Sequence, residues 1–251
     1  MNSVDMQVRI VGESPVGCST LVAGLPDMGN VAGIAIEHLV RILDMQEFAR
    51  LAGYWPPYIV HRKGETRFRR SHFSFHKVRG GERFIVMSGD YQPQEPSALY
   101  MLCEKVVEFA KDLGVRNIIT LGAAHRDMVM PERRVFYAAT GESLGKLAES
   151  LGALPLEGEG YITGFNGLLL GVGLENGIEG LCLLGEIDNP EIPQPLSSKS
   201  VLKVLAKILE LGELDLTQLD SMAERIRAQM LFAEEVARMQ RQLGGSPPGV
   251  I

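Results

Sequence analysis

With 251 residues, 45% of them hydrophobic and 22% charged, the chain has the size and make-up of one α/β domain with additions, not of a disordered or fibrous protein. A formal net charge of −6 excludes a general electrostatic attraction to nucleic acid or to an anionic membrane. No run approaches the roughly 18 unbroken apolar residues of a membrane span, the opening "MNSVDMQVRIVGES" lacks the regions of a signal peptide, and Cys18, Cys103 and Cys182 include no C-x-x-C pair, so the expected setting is the reducing cytoplasm.

"STLVAGL" reads as a strand that turns through "PDMGN" into the helix pattern "NVAGIAIEHLVRIL", where Val31, Ile34, Ile36, Leu39, Ile42 and Leu43 recur near helical spacing. An insertion over about 54–82 follows. Within it "YIVHRKGETRFRR" predicts a hairpin turning at Lys63, Gly64 and Glu65, and "SHFSFHKV" alternates, with Phe73 and Phe75 on one face and His72, Ser74 and His76 on the other. Next come the strand "RFIVMSGD", the helix "SALYMLCEKVVEFAKDLG" closed by Gly114, the strands "NIITLGAA" and "RRVFYAAT", and the short helix "GESLGKLAESLG". "GFNGLLLGVG" fits a turn followed by a buried helix or strand, and "EGLCLLGEI" is a further strand. This alternation predicts a mainly parallel sheet covered by helices, in a core domain over 1–215. A C-terminal amphipathic helix over 216–243 carries Leu219, Met222, Ile226, Met230, Ala233 and Ala237 on one stripe, and 244–251, "GGSPPGVI", is a flexible tail.

The turn "GLPDMGNVAG" raises the question of nucleotide binding. Gly24, Gly29 and Gly33 fall at five- and four-residue steps, which breaks G-x-G-x-x-G, and Asn30 and Val31 stand where a Walker loop needs Lys and a hydroxyl. The expectation is therefore a structural strand-to-helix turn, with Asn30 near the cap and Gly33 letting the helix pack closely. His72 and His76 have zinc-like spacing only on a helix, and the strand pattern separates them. His125 in "GAAHRDM", beside Arg126 and Asp127, follows a strand end and is the best single catalytic candidate. Arg62, Lys63, Arg67, Arg69 and Arg70 gather positive charge on the hairpin, which suits an acidic protein partner. The "GEID" stretch, Gly185 to Asp188, is a weak magnesium candidate, and Cys103 reads as core. No catalytic, cofactor-binding or metal constellation emerges.

With these residues in view, the sequence resembles the proteasome assembly chaperone family, in particular the second-subunit type and its archaeal and bacterial homologues. The resemblance rests on "GLPDMGNVAGIAIEHLV", "SGDYQP" followed by a helix and "GVRNIITLGA", "GFNGLLLGVG", and "CLLGEID" followed by "SVLKVLAKILELGELDLTQL". It implies a three-layer α/β sandwich similar to the purine nucleoside phosphorylase type, homo-oligomers without an established reaction or cofactor, and protein partners, proteasome α subunits among them. The end of the chain departs from the family pattern: Gly249, Val250 and Ile251 replace the hydrophobic-Tyr-any tripeptide with which members can dock on α rings.

Two functional expectations result. The leading one is a non-enzymatic, oligomeric protein-binding scaffold or chaperone, with Met230, Ala233 and Ala237 as candidate interface. The alternative is an enzyme or small-molecule binder using a phosphorylase-like cleft, where the loops bearing Gly29, Asn30, Asp90 and His125 converge at the carboxyl edge of the sheet.

Overall fold

A computed structural model describes residues 6–52, 59–67 and 72–242. In chain order the elements are β1 (Gln7–Ile10), β2 (Thr20–Ala23), a 3-10 turn (Met28–Asn30), α1 (Val31–Ile42), β3 (Gln46–Ala52), β4 (Val60–Arg62), β5 (Glu65–Arg67), β6 (His72–Val78) and β7 (Gly81–Gly89). There follow α2 (Pro96–Asp112), β8 (Asn117–His125), β9 (Val135–Ala139), α3 (Glu142–Ser150), β10 (Leu154–Pro155), α4 (Gly164–Glu175), β11 (Glu179–Ile187), α5 (Pro195–Ile208) and α6 (Thr217–Gln242).

Nine strands form one sheet in the order β1-β3-β6-β7-β2-β8-β11-β9-β10, while β4 and β5 make a separate hairpin. The central strands β7, β2, β8 and β11 are parallel. Both flanks are not: β1, β3, β6 and β7 pair antiparallel in series, and β9 runs antiparallel to β11. The expected mainly parallel sheet is thus a mixed one. The signal fell short because β1, at the edge of the sheet, and β3, beside it, keep exposed polar positions, so neither shows the unbroken apolar run of a buried strand. His72–Val78, read as part of an insertion, pairs within the main sheet between β3 and β7.

The sheet is packed on both faces, as its central strands require. In β2, Leu21 and Ala23 join the core beneath α2 and α4, while Val22 between them joins the core beneath α1, α3 and α5. Helix, sheet and helix make three layers. "GFNGLLLGVG" resolves as helix α4, which is apolar nearly all round, so periodicity in the sequence could not separate helix from strand. The hairpin turns at Lys63 and Gly64, both with positive φ of 50° and 83°, the backbone of a two-residue primed turn; Glu65 already pairs with Arg62.

The start of α6 is anchored. His38 donates from Nε2 to the carbonyl of Asp215 at 2.8 Å, Lys199 pairs with Asp220 at 2.6 Å, and Leu216 and Leu219 are buried. Its outer half is not: Met230, Leu231, Phe232 and Met239 are 41%, 58%, 68% and 49% exposed.

Candidate functional site

The carboxyl ends of β7, β2 and β8 lie side by side, and the turn after β2 sits among them. Gly24 lets the chain leave β2 directly under α1: a Cβ there would stand 2.8 Å from Cγ1 of Ile36 and 3.1 Å from Cβ of Ala32. Gly29 and Asn30 then adopt left-handed backbone, with φ of 61° and 50°. The Gly29 N–H donates to the Pro190 carbonyl at 2.7 Å, and the Gln194 N–H donates back to the Gly29 carbonyl at 2.8 Å. Ser198 Oγ donates to the Val31 carbonyl at 2.9 Å. These bonds fasten the turn to the segment that enters α5.

The first amide groups of α1 are committed as well. Asn30 N–H donates to the Asp27 carbonyl at 2.9 Å, and Ala32 N–H donates to Oδ1 of Asp27 at the same distance. Helix N-termini bind phosphate through free N–H groups, and here Asp27 supplies an acceptor oxygen from within the chain. The structural reading of the turn is supported by this geometry, but two of its details change. Asn30 occupies the cap position without a side-chain capping bond, because Asp27 holds that role. Gly33 does not serve helix-to-sheet packing: a Cβ there would meet Oδ1 of Asn30 at 2.2 Å, and close approach to the strand belongs to Gly24.

The four expected cleft residues share one edge of the sheet, but three of them line two different cavities and the fourth, Gly29, lines neither. Asn30 and Asp90 border a groove of about 670 Å³ together with Glu47, Arg50, His72, Ser74, His76 and Ser88. His125 borders a smaller cavity of about 360 Å³ beside Asp27, Asn166 and Tyr161. Gly29 is buried against Gln194.

In the larger groove a polar chain crosses three strands. Arg50 pairs with Glu47, Ser74 donates to Oε1 of Glu47 at 2.6 Å, and Nε2 of His76 lies 2.9 Å from Oγ of Ser88. The guanidinium of Arg50 holds the Glu47 carboxyl down at about 2, and burial lowers the His76 pKa. His72, Ser74 and His76 thus do share the face that the alternation assigned to them. Among the described residues no group of three or more His, Cys, Asp or Glu side chains is placed to hold a metal.

His125 Nε2 lies 3.3 Å from the Asp188 carbonyl. Arg126 stacks on Phe136 with its guanidinium carbon 4.6 Å from the ring centre. The "GEID" carboxylates are taken by arginines: Glu186 is fully buried and bound by Arg134 at 2.7 Å, and Asp188 is bound by Arg133 at 3.2 Å. That leaves neither carboxylate open for magnesium. All three cysteines are buried and none is in a disulfide, and burial pushes the Cys182 thiol up to about 12. On the hairpin Arg62, Lys63 and Arg67 are exposed, while Arg69, Arg70 and the tail 244–251 lie outside the described residues.

Sequence reasoning passed over Asp27 and Asn166. Asp27 stands in a Pro-Asp turn three residues before Asn30, where an Asp is a recognisable helix-capping signal.

The family model of the PAC2 family matches residues 21–232. The chain belongs to the PAC2 family. This PAC2 chain is 29% identical, over 91% of its length and 87% of the relative's, to an uncharacterized protein of Methanocaldococcus jannaschii. Among solved structures, the archaeal proteasome activator PbaB of Pyrococcus furiosus aligns with a TM-score of 0.81 at 29% identity, covering 92% of this chain and 99% of that one. PbaA of the same organism, an archaeal homolog of proteasome-assembly chaperone, aligns with a TM-score of 0.75 at 25% identity over 94% and 96%. These PAC2 likenesses bear out the α/β fold and the family expected from the sequence motifs.

Proposed function

We propose that this PAC2 chain is a non-enzymatic, protein-binding assembly factor of the cytoplasm that works as a homo-oligomer, with proteasome α subunits as its partner. The observation that carries the reading is the outer half of α6, where Met230, Leu231, Phe232 and Met239 leave the core with large apolar surfaces in water. A helix of 26 residues spans about 39 Å, and only its first half has a core to cover. The exposed group is broader than the stripe of Met230, Ala233 and Ala237, since Leu231 and Phe232 lie on the adjoining face. Such a surface is stable when another protein covers it. The roles printed for PbaB and PbaA, activator of the proteasome and homolog of its assembly chaperone, support proteasome subunits as the partner class.

Docking on α rings would use this helix, whose Met230, Leu231, Phe232 and Met239 are exposed. The test is native mass spectrometry of the full chain mixed with purified α subunits from the same organism. A defined complex that Phe232→Glu weakens at least tenfold is expected. Absence of any complex, or one indifferent to the helix substitution, contradicts the proposal.

A further inference from the structure

The cavity beside His125 holds two buried side-chain oxygens without a hydrogen-bond partner, Oδ2 of Asp27 and Oδ1 of Asn166. Both are acceptors when Asp27 is ionised. Asn166, in the first turn of α4, is only 8% exposed. The sheet makes room for it: a Cβ on Gly122, in the middle of central strand β8, would fall 2.4 Å from Asn166 Nδ2. Glycine within a central strand weakens it and marks a place where another group must come close. On the other side, Asp27 commits Oδ1 to the Ala32 N–H and leaves Oδ2 over.

The surroundings narrow the chemistry of a ligand. Two acceptors ask for N–H donors. Ala123, Ile162 and Leu184 give the cavity apolar walls, and Tyr161, 97% exposed on the segment before α4, offers an aromatic ring at its border. Arg126 at the rim opposes a cationic ligand. A volume of about 360 Å³ is that of a small-molecule pocket, too small for a folded segment.

We propose that Asp27 and Asn166 are the recognition pair of a site for a neutral, planar nitrogen heterocycle bearing N–H donors, of the aminated nucleobase class. The ring lies against the apolar walls, its N–H edge meets the two oxygens, and Tyr161 covers its open face. This site is independent of the protein-binding role of α6.

Cytosine and adenine are the probes, with toluene as a ring without donors and benzamidine as a cationic donor, measured on the full chain at pH 8, where Asp27 is ionised, by ligand-observed nuclear magnetic resonance and calorimetry. At least one of the two bases is expected to bind, more tightly than toluene and benzamidine. Asp27→Asn, which keeps an oxygen for Ala32 and turns the other position into a donor, should weaken it at least tenfold with the circular dichroism spectrum unchanged. Asn166→Leu should do the same; if that variant does not fold, Asp27→Asn decides alone. Failure of both bases to bind at millimolar concentration, preference for benzamidine, or equal binding by Asp27→Asn overturns the proposal.

Discussion

Oδ1 of Asp27 accepts the Ala32 N–H at 2.9 Å, so the start of α1 carries its own carboxyl oxygen in the place where a nucleotide-binding turn would receive a phosphate. Burial raises the pKa of this carboxyl from 3.8 to about 7, and the backbone N–H groups around it offset that only in part. The folded state therefore resists ionisation of Asp27. Below the unfolded value near 3.8 the group is protonated in both states and costs nothing; stability then falls as the pH rises toward 7, and the cost is complete above it. Asp27→Asn keeps the capping oxygen and removes the charge. It should raise stability at pH 8 by about 1–3 kcal/mol and leave it unchanged at pH 4, as read by urea denaturation at the two pH values.

Two glycines predict opposite responses to alanine. Gly29 has φ of 61°, and a Cβ on it would stand 2.7 Å from Cγ of Gln194, so Gly29→Ala should lower stability by about 1–3 kcal/mol. Gly171, on an exposed position of α4 with nothing within 4 Å of an added Cβ, should gain about 0.5–1 kcal/mol when changed to alanine. Thermal melts of the two variants check the pair.

The carboxylate of Glu186 has lost all contact with water and takes three N–H bonds from Arg134, at 2.9, 3.1 and 2.7 Å. Arg134 holds the Glu186 pKa below its ordinary value, so the pair stabilises the fold above the unfolded carboxylate range and loses that contribution as the pH falls through the lowered value. Arg134→Met should lower stability at pH 7, by less than the loss of a fully enclosed pair because the Arg134 side chain is 42% exposed. The deficit should shrink at pH 4, where Glu186 in the variant is protonated. Chemical denaturation at both values measures it.

Much of this architecture is legible in the sequence, for physical reasons that also explain the gaps. The central strands and α1, α2 and α3 announce themselves because burial on one face or both imposes a period. β1 does not, since an edge strand is ordered by its partner's backbone and leaves little trace in side-chain pattern, and β3, paired on both sides, interrupts its buried Phe48, Ala49 and Leu51 with exposed Gln46 and Arg50. The hairpin at Lys63 and Gly64 is visible because its turn demands positive φ. The candidate cleft was half legible: strand order brings the loops of Asn30, Asp90 and His125 to one edge, but the turn divides, with Asn30 lining one cavity and Asp27 and Met28 the other, which no local pattern encodes. Asn166 was hidden for the same reason. Its importance lies in Gly122, 44 residues earlier in the chain, whose missing Cβ admits the amide.

We propose the outer half of α6, with its exposed Met230, Leu231, Phe232 and Met239, as an assembly surface. Light scattering of the full chain, compared with a variant carrying Met230→Glu and Ala233→Glu and with circular dichroism as a check on helix content, tests it most directly. The native chain should have the mass of a defined oligomer and the variant a smaller one, because two carboxylates would have to be desolvated on assembly while remaining in water on the free helix. An equal mass for both proteins with the helix intact, or a monomeric native chain, would contradict the claim.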